Sequence, residues 1–225
     1  MFTMLVIATK NKNKLREFQE ILKDLEIEIV SLDAFGPIPP VIEDGDTFEE
    51  NAYKKALHTA KILGLPALAD DSGLAVEALS GQPGVYSARF SGENASDEEN
   101  CHKLLNALIG EKNRKARFHC VLSLAVPSGP ALTYVGQCDG VIIDDKRGNN
   151  GFGYDPIFYF EELGKTFAEL SMEEKSRVSH RGKALAEMKN ELESIKKWVE
   201  NRLAEERPAK PDHSVFLGKD WSDEL

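Results

Sequence analysis

Cysteine is scarce in this chain of 225 residues. Cys101, Cys120 and Cys138 lie far apart without a Cys-x-x-Cys pair, which excludes a disulfide framework or a zinc site of familiar spacing and points to reduced, space-filling thiols. Long apolar runs are absent as well. No stretch approaches the roughly 18 uninterrupted apolar residues a membrane helix needs, so no membrane association is expected. Residues 1–8 are apolar but lack the basic start and cleavage site of a signal peptide, and a cytoplasmic location is the expectation. Positive charge is in deficit: 28 Lys and Arg face 38 Asp and Glu, a formal net charge of −10. Such a surface repels a polyanionic backbone, which argues against nucleic acid as a partner and requires any phosphate binding to be local. There is no internal repeat, no low-complexity tract and no G-x-x-x-x-G-K-[ST] pattern, which excludes a P-loop kinase or GTPase cradle.

What is present is a mixed α/β pattern. Hydrophobic residues make up 41% of the chain, enough for a substantial core. Residues 5–8 read as a buried strand, and Leu15, Phe18, Leu22 and Leu25 follow at helical spacing. Thr47 with Glu50 and Ser96 with Glu99 form capping boxes that start two more helices, closed by Gly64 and Gly110. The first turns Ala52, Ala56 and Ala60 inward, the second Leu104, Leu105 and Leu108. Strand-like runs cover residues 27–32, 65–69, 116–126 and 132–143, the last two joined as a hairpin through Pro127-Ser128-Gly129-Pro130. From Ser171 the composition turns helical, with a short turn over 172–176 and one long helix over 179–204. One folded domain over residues 1–206 is expected. Residues 207–225, with Pro208, Pro211 and isolated Phe216 and Trp221, read as an extended tail.

Four segments carry chemistry. In Ala8-Thr9-Lys10-Asn11-Lys12-Asn13-Lys14 a strand hands over to a helix. Free N–H groups at a helix N-terminus, with hydroxyl, amide and ammonium donors beside them, suit phosphate oxygens, although taken alone the lysines also read as a solvated face. In Leu68-Ala69-Asp70-Asp71-Ser72-Gly73-Leu74 two acids end an apolar strand before a turn. Alternation along a strand sends Asp70 and Asp71 in different directions, so one faces a ligand while the other braces the loop. A carboxylate there suits Mg²⁺ or an attacking water, or else caps an Asp-Ser-Gly turn. In Gly148-Asn149-Asn150-Gly151-Phe152-Gly153-Tyr154-Asp155-Pro156 the glycines permit close backbone approach, and Phe152 and Tyr154 offer flat faces for a purine; the alternative is a plain loop with aromatic anchors. In Lys175-Ser176-Arg177-Val178-Ser179-His180-Arg181-Gly182, Ser179 reads as a helix cap. A cation such as Arg181 is unfavourable at the positive end of a helix, which implies an anionic or carbonyl-rich neighbour.

Together and in this order, with Thr47-Phe48-x-x-Asn51-Ala52-x-x-Lys55-Ala56 and Pro83-Gly84-Val85-Tyr86-Ser87-Ala88-Arg89, these segments resemble the inosine triphosphate pyrophosphatase family over residues 4–202. The resemblance implies an α/β fold: a long, mixed, twisted sheet flanked by helices, with two lobes around a central nucleotide-binding cleft. It implies hydrolysis of non-standard purine nucleoside triphosphates such as ITP, dITP and XTP to monophosphate and pyrophosphate, with Mg²⁺ as cofactor and a homodimer as the assembly. By resemblance, Thr9, Lys10, Asn11, Lys12, Asn13 and Lys14 with Lys55 hold the triphosphate. Asp71 is the catalytic carboxylate beside Mg²⁺, Asp70 adjoins it, and Glu43 is the second acid at the metal. The family usually shows two successive acids, one residue and a glycine; in Ile42-Glu43-Asp44-Gly45 the isoleucine occupies the first acid's place, which leaves Glu43 and Asp44 as candidates. Lys10 and Asn13 stand where the family commonly has small residues. Ser72 lies near the phosphates, while Phe152, Gly153, Tyr154, Asp155, Lys175, His180 and Arg181 surround base and sugar, with Arg181 and His180 as readers of the base edge. The septum-inhibitor-type nucleotide pyrophosphatases share the architecture and reaction but act on other bases; the Ser-His-Arg run and the Phe-Gly-Tyr-Asp loop favour the first family. A catalytically idle nucleotide-binding module is the remaining alternative, and the intact Asp70-Asp71 pair speaks against it.

Overall fold

The computed structural model of the chain describes residues 2–205. Strands β1 (Met4–Ile7), β2 (Glu28–Ser31), β3 (Ala67–Val76), β4 (Lys115–Ala125), β5 (Ala131–Ile142), β6 (Phe158–Phe160) and β7 (Lys165–Thr166) form one sheet in the order β2-β1-β3-β4-β5-β6-β7. β1 pairs in parallel with β2 and β3, and every later pairing is antiparallel. Parallel neighbours need long crossovers, and helices α1 (Lys12–Leu22) and α2 (Phe48–Leu63) lie in them. The β4–β5 hairpin closes through the Val126 N–H donating to the Pro130 carbonyl. Among the described residues no helix is long and apolar enough to cross a membrane.

β3 departs from its sequence pattern. The apolar run suggests a strand over 65–69 followed by a turn, yet the strand continues through Asp70, Asp71 and Ser72, which face Leu122, Val121 and Cys120 of β4. A long partner strand overrides the poor strand propensity of Asp and Gly. At α2, Thr47 accepts the Glu50 N–H, but the Glu50 carboxylate takes the Asp46 N–H instead of closing the box. Helix α3 (Asp97–Ala107) begins with the full Ser96/Glu99 box. The turn over 172–176 is a helix, α4 (Met172–Val178), and the single long helix is two, α5 (His180–Asn190) and α6 (Leu192–Glu205). The break falls at Glu191, whose φ of −102° and ψ of 9° leave the helical region and whose carboxylate accepts the Tyr134 hydroxyl. The tail lies outside the described residues.

Helices cover both faces. Phe18, Leu22, Leu185 and Val199 of α1, α5 and α6 pack with Leu5, Ile7 and Leu122 of the sheet, while Ala56 and Ala60 of α2 pack with Val6, Ala67 and Ala69. A further core of Leu74, Leu104, Phe118, Ile142, Phe158 and Phe167 builds the second lobe. Strands β3, β4 and β5 run through both lobes, so residues near their middles lie where the lobes meet.

α5 approaches β5 at Gly136, where a Cβ would overlap the His180 carbonyl oxygen and come within 2.6 Å of the Ala184 nitrogen. Both obstacles are backbone and cannot yield by a rotamer change. Gly136→Ala is expected to lower the unfolding free energy by about 1–3 kcal/mol, the usual cost of overpacking. Urea denaturation measures it, and an unchanged midpoint would refute the close approach.

Candidate active site

β1 ends at Ile7, whose ladder partner on β3 is Leu68, and the chain then leaves the sheet toward α1. Further along β3, Ala75 bridges Pro83 and the Leu74 N–H donates to Ser87 Oγ. Residues 70–73 lie between these two supports. A cleft of about 390 Å³ opens beside them, a size that suits a small ligand. Thr9, Lys10, Asn11, Lys14, Glu43, Lys55, Asp71, Ser72, Phe152, Gly153, Tyr154, Asp155, Lys175, His180 and Arg181 line it. Of the residues expected at the site, Lys12, Asn13 and Asp70 are not in its lining.

At the basic turn, Asn11 caps α1. Its Oδ1 accepts the N–H groups of Asn13 at 2.9 Å and Lys14 at 3.1 Å. Those two donors of the helix terminus are therefore already satisfied, which shifts the expected phosphate contacts toward the side chains of Thr9, Lys10 and Lys14.

Alternation along β3 separates the two aspartates onto opposite faces. Asp70 Oδ2 accepts Arg181 Nη2 at 2.7 Å, Lys14 Nζ at 2.9 Å and the Ser72 hydroxyl at 3.0 Å. Arg181, 1% exposed, also donates Nη1 to Glu17, which takes Lys175 Nζ at 2.7 Å; Lys175 reaches Asp155 at 2.5 Å. A buried chain of alternating charge results: Lys14, Asp70, Arg181, Glu17, Lys175, Asp155. Burial alone would raise the Asp70 and Glu17 carboxyls, but Arg181 with Lys14 and Lys175 outweighs it, lowering Glu17 and holding Asp70 well below the usual range. At Asp155 burial prevails and the carboxyl is raised.

Asp71 has a different setting. Lys55 Nζ lies 2.7 Å from Asp71 Oδ1 and 2.7 Å from Glu43 Oε2, so two hard oxygens converge on one point that favours a cation. Burial raises the Asp71 carboxyl above its ordinary value, with Lys55 opposing. Asp44, the competing acid, pairs instead with exposed Lys54 outside the cleft lining.

At the other end, Phe152 lies with Lys175 Nζ 4.8 Å from its ring centre, and Asp155 accepts the Phe152 N–H at 2.8 Å. Gly151 has a φ of 74°, and a Cβ there would overlap the Asp155 carboxylate. The Tyr154 hydroxyl is spent on the Ser87 carbonyl. His180 stacks with Phe118 at 4.6 Å, is kept neutral by burial and by Arg181 and Lys175, and leaves Nδ1 without a hydrogen-bond partner. Arg181, expected as a base reader, has Nε and Nη2 on Asp70, Nη2 also on Ser72 and Nη1 on Glu17.

Two residues of this arrangement escaped the sequence reading. Glu17 looks like one more acid on an amphipathic helix, and only its place beside the buried Phe18 hints at an inward turn. Asn51, the polar residue beside the alanine stripe of α2, was visible only as part of the family pattern.

The chain matches the Ham1 family over residues 5–191. It is 68% identical over 222 residues to the dITP/XTP pyrophosphatase of Desulfotalea psychrophila, covering 99% of this chain and 100% of that one. It is 60% identical over 203 residues to the dITP/XTP pyrophosphatase of Syntrophobacter fumaroxidans, covering 90% and 88%. The solved structure of the Staphylococcus aureus Ham1 protein superposes with a TM-score of 0.77 at 45% identity, covering 86% of this chain and 100% of that one.

Glu17→Gln should cost about 3 kcal/mol at neutral pH, because it strips a carboxylate from two buried cations that each keep one other partner. Glu17 has a folded pKa below its unfolded value, so its contribution is present above about pH 4 and is lost as pH falls through the folded pKa. The stability gap between wild type and variant should therefore narrow below about pH 4. Urea titrations at pH 7 and pH 3.5 read the gap, and one that stays constant contradicts the depressed carboxyl.

Proposed function

The chain belongs to the Ham1 family, and from that premise we propose that it clears non-standard purine nucleoside triphosphates, ITP, dITP and XTP, from the nucleotide pool. It is a nucleoside triphosphate pyrophosphohydrolase, releasing the monophosphate and pyrophosphate. The observation that carries the reading is one cleft with a basic turn, a carboxylate pair on a lysine and an aromatic loop along its walls. A triphosphate and a purine have complementary surfaces at its two ends.

The phosphates lie against Thr9, Lys10, Lys14 and Lys55, and the purine against Phe152. Asp71 takes a proton from a water that attacks the α-phosphorus in line. The new P–O bond forms as the bond to the bridging oxygen breaks, and the electron pair departs with pyrophosphate. Lys14 and Lys55 balance the charge of the leaving group.

The donor set fits Mg²⁺. Lys14, Arg181 and Lys175 balance Asp70, Glu17 and Asp155, whereas Lys55 faces both Asp71 and Glu43, a local excess of one negative charge. Among the described residues no group of three or more His, Cys, Asp or Glu is arranged for a metal. Glu43 and Asp71 would hold Mg²⁺ with water and phosphate as its other ligands, and the bound ion supplies charge neutralisation to the triphosphate. The reading extends to a cytoplasmic homodimer, in which a second copy would cover exposed apolar side chains such as Tyr86.

Base choice falls to donors not already committed. Hypoxanthine and xanthine carry a keto oxygen at position 6 where adenine carries an amine, so a donor aimed there is satisfied by the first two and opposed by the third. His180 Nδ1 is unpartnered, and Lys175 has a third N–H beyond Glu17 and Asp155. Guanine shares the keto group, so its rejection rests on its 2-amino group against the backbone of residues 151–155. Arg181 holds Asp70 and Glu17 and keeps one Nη1 N–H beyond those bonds, so it stays a candidate base reader beside His180 and Lys175.

Pyrophosphate release from ITP with Mg²⁺ tests the activity. Asp71→Asn should lower the rate by about 10²–10⁴-fold, the range for losing a general base, with the fold intact. Comparable turnover at saturating Mg²⁺ would sink the assignment. For base choice, His180→Ala should shrink the preference for ITP over ATP by about tenfold, while Phe152→Ala weakens both alike. Unchanged ratios in His180→Ala would move selectivity to the loop backbone.

A further inference from the structure

Glu43 sits in a segment without regular secondary structure between Phe35 and α2, so something must fix its distance from Asp71. Lys55 joins the two carboxylates through a long, flexible side chain, and a ligand that drew the ammonium away would release that tie. A second tie is built into the same helix face one turn earlier. Asn51 is 2% exposed; its Oδ1 accepts the Gly45 N–H at 2.9 Å, and its Nδ2 donates to the Gly45 carbonyl at 3.2 Å. The amide thus pairs with both backbone groups of one peptide residue, as a neighbouring strand would. Nδ2 also reaches Asp71 Oδ2 at 3.4 Å.

The chemistry admits one orientation of this amide. Gly45 N–H needs an acceptor, and both the Gly45 carbonyl and the Asp71 carboxylate need donors, so Oδ1 faces the first and Nδ2 the other two. Gly45 is fitted to the contact: a Cβ would fall 2.8 Å from Asn51 Oδ1 and 2.8 Å from Glu50 Cβ. Its φ is not in the left-handed region, so the glycine is required for space and not for conformation. The Arg89 guanidinium approaches the Glu43 carbonyl at 3.4 Å from the other side of the loop.

We propose that Asn51 is a positioning residue that locks the Glu43 loop to Asp71 and so presets the spacing of the two carboxylates. The inference rests on the reading of Glu43 and Asp71 as the metal-binding pair. Asn51 acts by holding Glu43 and Asp71 in place, and loss of such outer support typically costs about 10–100-fold in metal affinity or activity.

The test compares Asn51→Ala and Gly45→Ala with Glu43→Gln, Asp71→Asn and the surface control Lys197→Ala on α6, outside the cleft lining, in the full chain. Four quantities are read: kcat and KM for ITP, binding of Mg²⁺ alone by titration calorimetry, and the thermal midpoint. Asn51→Ala and Gly45→Ala are both expected to weaken Mg²⁺ binding and lower kcat by at least tenfold, with KM for ITP within about twofold, since the phosphate and base contacts remain. Lys197→Ala should match wild type. Should Asn51→Ala fail to fold, Gly45→Ala carries the test, because it displaces the loop and leaves Asn51 and Asp71 in place. Wild-type Mg²⁺ affinity and kcat in a folded Gly45→Ala variant would overturn the proposal. If Glu43→Gln and Asp71→Asn also bind Mg²⁺ and turn over as wild type does, the metal-site reading itself fails.

Discussion

The Arg181 guanidinium is buried where the two lobes meet, and its cost in a low-dielectric interior sets conditions on everything near it. It is tolerable only because Asp70 and Glu17 are held against it. Each of those carboxylates is in turn surrounded, Asp70 by Lys14 and Glu17 by Lys175, and Lys175 passes the requirement on to Asp155. Five parts of the chain contribute: α1, β3, α4, α5 and the loop carrying Phe152. None can shift alone without leaving a charge unpaired in the interior, so the electrostatics of one arginine fix the relative placement of the basic turn and the Phe152 loop.

That lattice explains how two adjacent aspartates come to differ. Asp70 is saturated with cations and held ionised as a structural anion. Asp71, one residue later on the opposite face, is raised by burial and has a single lysine for balance, shared with Glu43. Strand alternation does the sorting. Had the pair sat in a turn, both side chains would have met solvent, and no such division of roles would follow.

Which residues gather at the cleft was largely legible in the sequence, while its geometry was not. Thr9, Lys14, Lys55, Asp71, Phe152 and Lys175 stand out by type and order, and they do line one cleft. The mixed α/β fold could be read as well, from strand and helix periodicities and the Ser96 cap. What stayed hidden depends on partners far away in sequence. β3 runs on through Asp-Asp-Ser-Gly because β4 supplies a ladder more than forty residues later. β6 and β7 are three and two residues long, too short for a period to register. The break at Glu191 has no glycine or proline to announce it. Glu17 is inward only because Arg181 and Lys175, some 160 residues on, need an anion there.

The same connectivity bears on discrimination among nucleotides that carry identical phosphates. On the proposed reading a triphosphate would meet Lys14 and Lys55 whatever its base, so those contacts would bind standard and non-standard nucleotides alike and could not select. Selection at a distance from the reacting phosphorus then requires that a poor fit at the base reach the phosphate end. Glu17 links them: through Lys175 it supports the Phe152 loop, and through Arg181 and Asp70 it supports Lys14. On that reading, a purine that fits the loop would leave the α-phosphorus in line with the water at Asp71. One that does not fit must either lift from Phe152 or draw its phosphates off register, because the framework between the ends is stiff. Misplacement of about 1 Å at the reacting atoms is enough for a rate loss of about 10²-fold, so rigidity in this buried lattice turns a modest difference in base contact into a larger difference in turnover.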